Sequence, residues 1–374
     1  MTEPTDPVRE RPLRFAIVGC GVIGKVHARA ISRTAGAALT VTVDLDETVA
    51  RELAEQYGAA PASALRDALL RDDVDAVAIC TPSGNHAELA IQALAAGKHV
   101  VIEKPLDISI EAALRLNDII ATSDRTVTVI SQHRFDPSAR VVRDAIQRQL
   151  FGAITSGLAS VAWWRSQSYY DSGDWRGTLR MDGGGALMNQ AIHTLDLLVW
   201  MMGQPVEVTA YTGLLAHQGI EVEDTVVAII AFASGALAVI HATTAAYPGL
   251  SARVQVHGTL GSAIIDDDKL VYFHAASSGD AASSPVYGAG LSSNQASQVL
   301  PDQEFAAQMT GADPSALSDA HDLQYADFVD AVRTGREPQV TVASAITTLQ
   351  VILAVYESAR TGARVPVGAA ARLA

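Results

Sequence analysis

Three stretches of this chain carry side chains able to cradle a phosphate, move a proton and hold a hydroxyl. The first is Gly19-Cys20-Gly21-Val22-Ile23-Gly24, placed directly after the β-branched run RFAIV and opening a helical pattern. Glycines in that position let the backbone turn tightly and aim N–H groups and a helix N-terminus at a pyrophosphate. Asp44, twenty residues after Gly24 at the end of the next strand-like run, stands where a carboxylate accepts from ribose hydroxyls. Tight strand–helix packing with a surface Asp is the plainer reading of the same letters. A 2′-phosphate beside Asp44 would be repelled, and Leu45 and Asp46 supply no cation, so NAD is expected over NADP, with Arg51 the nearest complication. The second stretch is Gly97-Lys98-His99 through Glu103-Lys104-Pro105. Only four of the 27 Lys+Arg are Lys, and two of them fall here. An ammonium is compact and can have its pKa lowered, which suits contact with a reacting hydroxyl. The third runs from Asp182-Gly183-Gly184-Gly185 to Asp196, where helical spacing puts Asn189, His193 and Asp196 on one face.

The elements that must position these residues follow from periodicity. Strand-like runs at Phe15–Val18, Leu39–Asp44, Ala76–Cys80, Val100–Glu103 and Thr126–Ser131 alternate with helical spacing at Lys25–Thr34, Glu47–Tyr57, His86–Ala96 and Ile110–Ser123. That alternation predicts an α/β unit with a doubly wound parallel sheet, whose strand ends would place Glu103-Lys104 in a ligand crevice. After a helix at Ser138–Gln149 strand-like runs dominate, at Leu158–Trp164, Val206–Thr212, Thr225–Ala233 and Ala236–Thr243, interrupted by a helix at Gly185–Met202. Helices are expected again at Pro314–Arg333 and Ala343–Arg360, and a surface loop at Ala275–Gln298. The domain boundaries expected are a flexible tail at 1–12, a nucleotide-binding domain at 13–135 and a substrate-binding and oligomerisation domain at 136–374. Thr225–Ala252 is apolar enough to imitate a membrane span, but Ser234-Gly235 breaks it into two strand-sized halves, so a buried hairpin is expected.

Composition narrows the function. With 27 Lys+Arg against 41 Asp+Glu the formal charge is −14, which repels nucleic acid and anionic lipid at long range. Two cysteines are too few for a disulfide scaffold, and a cytoplasmic setting is expected. No HExxH or comparable cluster points to a metal, and no GxSxG elbow points to a serine nucleophile.

Taken together, GCGVIG, TPSGNH at 81–86 and AGKHVVIEKP at 96–105 resemble the glucose-fructose oxidoreductase, inositol dehydrogenase and MocA (Gfo/Idh/MocA) family. The resemblance implies an N-terminal Rossmann sheet followed by a C-terminal α/β domain with a large open, mostly antiparallel sheet. It implies Lys104 as catalytic lysine, a cis Lys104–Pro105 peptide, His193 beside the reacting carbinol, and Thr81, Pro82, Asn85, His86 and Glu103 along the nicotinamide and ribose. Asn189 stands where the commoner residue is Asp, as in members acting on nucleotide-linked sugars. Arg134, Trp175 and Arg176 are expected to bind substrate with Lys104, Asn189 and His193, since aromatic faces stack on sugar rings and Arg binds hydroxyls or a carboxylate. The implied activity is NAD(P)-dependent interconversion of a secondary alcohol and a ketone on a sugar, glycoside, nucleotide-sugar or inositol. The alternative is a non-catalytic NAD(P)-binding regulator of the same fold. A homodimer or homotetramer is expected, because strands as apolar as Val226–Phe232 and Ala236–Ile240 need cover on both faces.

Overall fold

Short β-branched runs flanked by Ala-rich amphipathic helices fold as parallel strands covered on both faces, and the first half of the chain does so. The computed structural model describes residues 11–276, 294–300 and 317–368. Most of the expected tail, most of the expected 275–298 loop and the start of the expected 314–333 helix lie outside these residues. The first half contains β1 (Leu13–Val18), α1 (Val22–Arg33), β2 (Ala37–Val43), α2 (Glu47–Tyr57), β3 (Ala60–Ala62), α3 (Leu65–Leu69) and β4 (Ala76–Ile79). It continues with α4 (His86–Ala95), β5 (His99–Ile102), α5 (Ile110–Ile120) and β6 (Val127–Val129). The six strands are parallel in the order β3-β2-β1-β4-β5-β6. The chain leaves β1 toward β2 and later returns to β4 on β1's other side, so the loops after β1 and β4 part and leave a crevice at the strands' C-terminal ends.

The second half comprises α6 (Pro137–Gln147), β7 (Ile154–Ala162), the short α7 (Gln167–Tyr170), a π-helical turn at Ala186–Ala191 and α8 (Ile192–Met202). Then come β8 (Pro205–Gly213), β9 (Thr225–Phe232), β10 (Leu237–Thr243), β11 (Ala252–Gly258), β12 (Gly261–Asp266), β13 (Lys269–Ala275) and the closing β14 (Val365–Pro366). They form one sheet, β13-β12-β11-β7-β10-β9-β8-β14, antiparallel except where β10 meets β7. The membrane-like stretch is the β9–β10 hairpin. Val226, Ala228, Ile230 and Phe232 point into the core, while Val227 and Ile229 on β9 and Leu237 and Val239 on β10 face outward. The 342–361 helix is also apolar and long enough to cross a membrane, and most of its apolar stretch is buried. Cys20 and Cys80 are both free and buried.

A returning helix and a buried ion pair are among the connections that tie the halves together. The 317–334 helix returns to the first sheet, where Tyr325, Phe328 and Val329 share a core with Phe15, Ile17, Ala28 and Ile31. Arg134, just after β6, is buried and makes a two-pronged ion pair with Asp196 of α8, Nε to Oδ2 at 2.7 Å and Nη2 to Oδ1 at 2.6 Å. Thr348 of the 342–361 helix donates to the same carboxylate at 2.9 Å. Arg134 was expected among the substrate groups; the structure spends its guanidinium on this clasp instead, because a carboxylate from α8 faces it in the interior. Breaking a buried pair on one side leaves a bare charge, typically at a cost of about 3–5 kcal/mol. Arg134→Met is therefore expected to lower unfolding free energy in urea titrations by about that amount, and adding Asp196→Leu to recover a large part of it.

Candidate active site

The glycine loop is dictated by space. A Cβ on Gly24 would sit 2.1 Å from the Gly19 carbonyl oxygen, and Gly19, at φ +94°, would carry one 2.5 Å from the Cys80 carbonyl oxygen. Gly21 is different, since a Cβ there meets nothing within 4 Å. It heads α1 without a side-chain cap, so the first-turn N–H groups of Val22 and Ile23 are left for an anion. Ile23 packs toward the core while the Val22 side chain is exposed. Asp44 is set at the edge of this loop: its Oδ2 accepts from Cys20 N at 2.7 Å and its Oδ1 from Asp46 N at 3.0 Å. Arg51 lies against Glu47 at 4.0 Å. Across the crevice, Thr81 and Pro82 follow β4, and Asn85 ends a short turn before α4. Thr81 Oγ1 is shielded from water and has no hydrogen-bond partner among the described residues. An open N-terminus, an orphaned hydroxyl and a fixed carboxylate without a neighbouring cation fit NAD. His86 is buried behind this wall, its Nδ1 2.7 Å from Pro105 O and its Nε2 2.8 Å from Thr81 O, so it fixes the two loops to one another and does not itself face the crevice.

Glu103 and Lys104 end β5 and point in different directions. Glu103 turns inward, accepting from His27 Nε2 at 2.9 Å and from the Lys104 N–H at 2.8 Å, with His321 Nε2 at 3.7 Å. Burial opposes its ionisation, yet the hydrogen bonds from His27 and His321 carry its pKa well below the carboxylate range. Burial lowers His27 and keeps it neutral. Its Nε2–H then serves Glu103 and its Nδ1 accepts from Tyr325 Oη at 2.6 Å. Lys104, joined to Pro105 by a cis peptide, sends its Nζ across the cleft to the Asn189 carbonyl oxygen at 3.0 Å. Burial lowers the Lys104 pKa, while Glu103 and Asp182 oppose and Arg176 adds to the effect. Lys104 and His193 line one small cavity with Ser131 and Thr348.

The turn that offers Asn189 is built by close packing. A Cβ on Gly185 would lie 1.8 Å from Glu223 O, and one on Gly184 would lie 2.1 Å from Tyr356 Oη. The Glu223 carboxylate accepts from Gly185 N and Leu187 N, both at 2.9 Å, and from Tyr356 Oη at 3.1 Å. This anchor winds residues 186–191 as a π turn, a form frequent at functional sites. Of the expected polar face, His193 and Asp196 stay together on α8 and line the Lys104 cavity, while Asn189 falls on the π turn. Asn189 gives its carbonyl to Lys104 and its side-chain amide to Gly184 O at 3.0 Å, His193 stays at the cleft, and Asp196 pairs with Arg134.

One wall of the cleft is aromatic and cationic. Arg176 lies 4.5 Å from the ring centres of both Tyr169 and Trp175, and Arg165 lies 5.4 Å from that of Tyr169. Tyr169 Oη accepts from Arg176 at 2.9 Å and from Gln190 Nε2 at 3.0 Å, while Gln190 Oε1 accepts from Arg165 at 2.8 Å. Asp182 sits beneath, buried, accepting from Gly177 N at 2.7 Å. Burial raises its pKa against the pull of Gly177 N–H, Asn189, Arg176 and Lys104. Sequence reasoning assigned no role to Asp182, Gln190, Glu223 or His27; an Asp directly before a glycine triplet and a His three residues after the glycine loop were the available signals. Lys98 is structural, its Nζ donating to Arg71 O at 3.0 Å and Val74 O at 2.8 Å.

Comparison with known proteins identifies the family of the chain. Residues 13–131 match the oxidoreductase family with an NAD-binding Rossmann fold, and residues 139–264 match the GFO/IDH/MocA C-terminal domain. The chain is 32% identical to the inositol 2-dehydrogenase of Rhizobium meliloti over 269 residues, covering 69% of this chain and 77% of that one. It is 30% identical to the myo-inositol 2-dehydrogenase of Thermotoga maritima over 260 residues, covering 68% and 75%. In structure it resembles the WlbA dehydrogenase of Bordetella pertussis, crystallised with NADH and UDP-GlcNAcA, with a TM-score of 0.83, 31% identity and coverage of 96% and 99%. Because Leu45 is exposed beside Asp44, Asp44→Ser with Leu45→Arg is expected to move the ratio of NADH to NADPH affinity toward NADPH by about tenfold or more, equivalent to about 1.4 kcal/mol, in fluorescence titrations.

Proposed function

The chain belongs to the GFO/IDH/MocA family of NAD-binding oxidoreductases, and on that premise we propose that it interconverts a secondary alcohol and a ketone on a sugar or inositol, bound NAD supplying the hydride acceptor or donor. The observation that carries this reading is the placement of a half-buried Lys104 ammonium at the C-terminal end of β5, hydrogen-bonded to Asn189 O and sharing a cavity with His193. In the oxidative direction the Lys104 ammonium donates to the substrate oxygen and stabilises the charge that develops there. His193 receives the hydroxyl proton: burial first, then the charges of His133 and Lys104, hold its pKa well below the ordinary imidazole value, so it is neutral and able to accept. Asn189, held by its contacts to Lys104 and Gly184, orients the substrate. It brings no charge of its own, and Asp182 is the carboxylate that faces Lys104 in its place.

Arg165 and Arg176, stacked on Tyr169, favour a substrate bearing an acidic group, a description that UDP-GlcNAcA of the Bordetella structure also meets. The test is a panel of inositols, neutral sugars, uronates and nucleotide-linked uronates with NAD, read as NADH formation; binding of NAD without turnover on any of them supports the regulator. With a turned-over substrate, Lys104→Ala is expected to lower kcat by about 10²–10⁴-fold, and Lys104→Arg not to rescue it, since a guanidinium is bulkier and too basic. NADH affinity is expected to stay within about tenfold, or 1.4 kcal/mol.

The outward face of the second sheet supports self-association. Register puts Val227 opposite Tyr211 and His241, and Ile229 opposite Val239, so these residues form one patch. Tyr211 is 78% exposed and Ile229 52%, and a continuous apolar patch of that kind marks an interface. We propose that a second copy of the chain covers it. Light scattering is expected to give a dimer or tetramer at micromolar concentration, and Ile229→Glu a smaller species.

A further inference from the structure

Behind the reaction centre the ring of His193 packs edge-to-face on that of His133, with centroids 5.3 Å apart and planes at 74°. His133 belongs to the turn after β6. Its Nδ1 lies 2.8 Å from Asp136 Oδ2 and 3.2 Å from Asp268 Oδ1. Asp268 comes from the β12–β13 hairpin, where its φ is +62°, and its own carbonyl accepts from Ser138 Oγ of α6 at 2.7 Å. Three elements thus close around one imidazole that touches the proposed base and itself exchanges no proton with substrate.

We propose that His133, clamped between Asp136 and Asp268 and packed edge-on against His193, is a positioning residue that sets the proton-accepting state of His193. The kinetic consequence rests on the alcohol–ketone reading; the electrostatic one does not. Burial works against charging His133, but the hydrogen bonds to Asp136 and Asp268, followed by their charges, raise its pKa to about 10. It is therefore an imidazolium across the physiological range, and a second cation in the adjoining ring is disfavoured. The groups acting on His193 are His133, Lys104 and His321, which oppose its protonation, and Glu103, which favours it. The Arg134–Asp196 pair, beginning one turn along α8, neutralises itself. Burial is the first reason that His193 stays neutral, and the charge of His133, the foremost of the facing charges, adds to it, so the lone pair is available. The plain alternative is a mechanical clamp that only ties the hairpin to the turn.

Histidine-selective ¹³C/¹⁵N NMR of the full-length, ligand-free protein separates the two. In the unmodified chain His133 is expected as imidazolium at pH 8, and His193 as the neutral ring at pH 6.5, where a free imidazole is about half protonated. In His133→Gln the His193 midpoint is expected to rise by about one pH unit or more. The acidic limb of kcat/KM should then shift to higher pH by the same amount, with kcat on the alkaline plateau within about threefold, since general-base function itself is retained. Asp268→Asn, on a turn whose left-handed backbone Asn tolerates, should give a smaller rise in the same direction and serves if His133→Gln does not fold. A His133 that titrates near the free imidazole value, or a His193 midpoint unchanged in the variants, overturns the proposal. The NMR shift without turnover of any panel substrate would uphold it and sink the alcohol–ketone reading instead.

Discussion

The hydrogen bond from Lys104 Nζ to Asn189 O joins the end of a parallel strand in one half of the chain to a π turn in the other. An ammonium removed from water is destabilised unless donors find acceptors and charge finds charge. Asn189 supplies the acceptor; Glu103 and Asp182 supply the charge. That requirement fixes the spacing of the two halves, because a carbonyl displaced by an ångström or two would leave the ammonium without it. The buried Arg134–Asp196 clasp is a second tie that holds that spacing.

The second half meets this demand through glycine. Gly184 and Gly185 let the backbone approach Tyr356 and Glu223 more closely than any side chain permits. Glu223 can then bond two N–H groups at the start of the turn, where a carboxylate also complements the positive end of the helix dipole. The resulting wide turn sets the Asn189 carbonyl toward Lys104 and leaves α8 to carry His193 and Asp196. Replacing any of these glycines would therefore act on the lysine at a distance, through the position of one carbonyl.

How much of this could be read from the letters depended on range. The glycine loop, Asp44, the helix at Glu47–Tyr57 and the β9–β10 hairpin follow from local spacing and turn chemistry, and they stand where expected. β3 is Ala-Pro-Ala and α3 has five residues, so neither carries a period long enough to register. The strands β11 to β13 show no clean period in sequence, since Gly, Asp and Lys punctuate them. Arg134 misled for a different reason: a basic residue at a strand end looks like a ligand group until its partner, 62 positions away, is known. The π turn was equally hidden, since a five-residue rather than four-residue repeat depends on Glu223 and Tyr356, which lie far along the chain.

The distribution of charge about the cleft also sorts the chemistry of the proposed reaction. Arg134 is matched by Asp196, and ionised Glu103 is served by a neutral His27. Lys104 and His133 are the cations that reach His193, and of these His133 is held by two carboxylates. A proton released from a hydroxyl moves to the group where added positive charge is tolerated after the step, not before it. In the proposed reaction His193 would satisfy this, because the alcohol oxygen, as it loses its proton, would present negative charge that Lys104 stabilises and that offsets the incoming proton. A neutral imidazole flanked by fixed cations is thus a weak base toward water and an adequate one toward a substrate hydroxyl bound against Lys104, so proton transfer is tied to occupancy of the site.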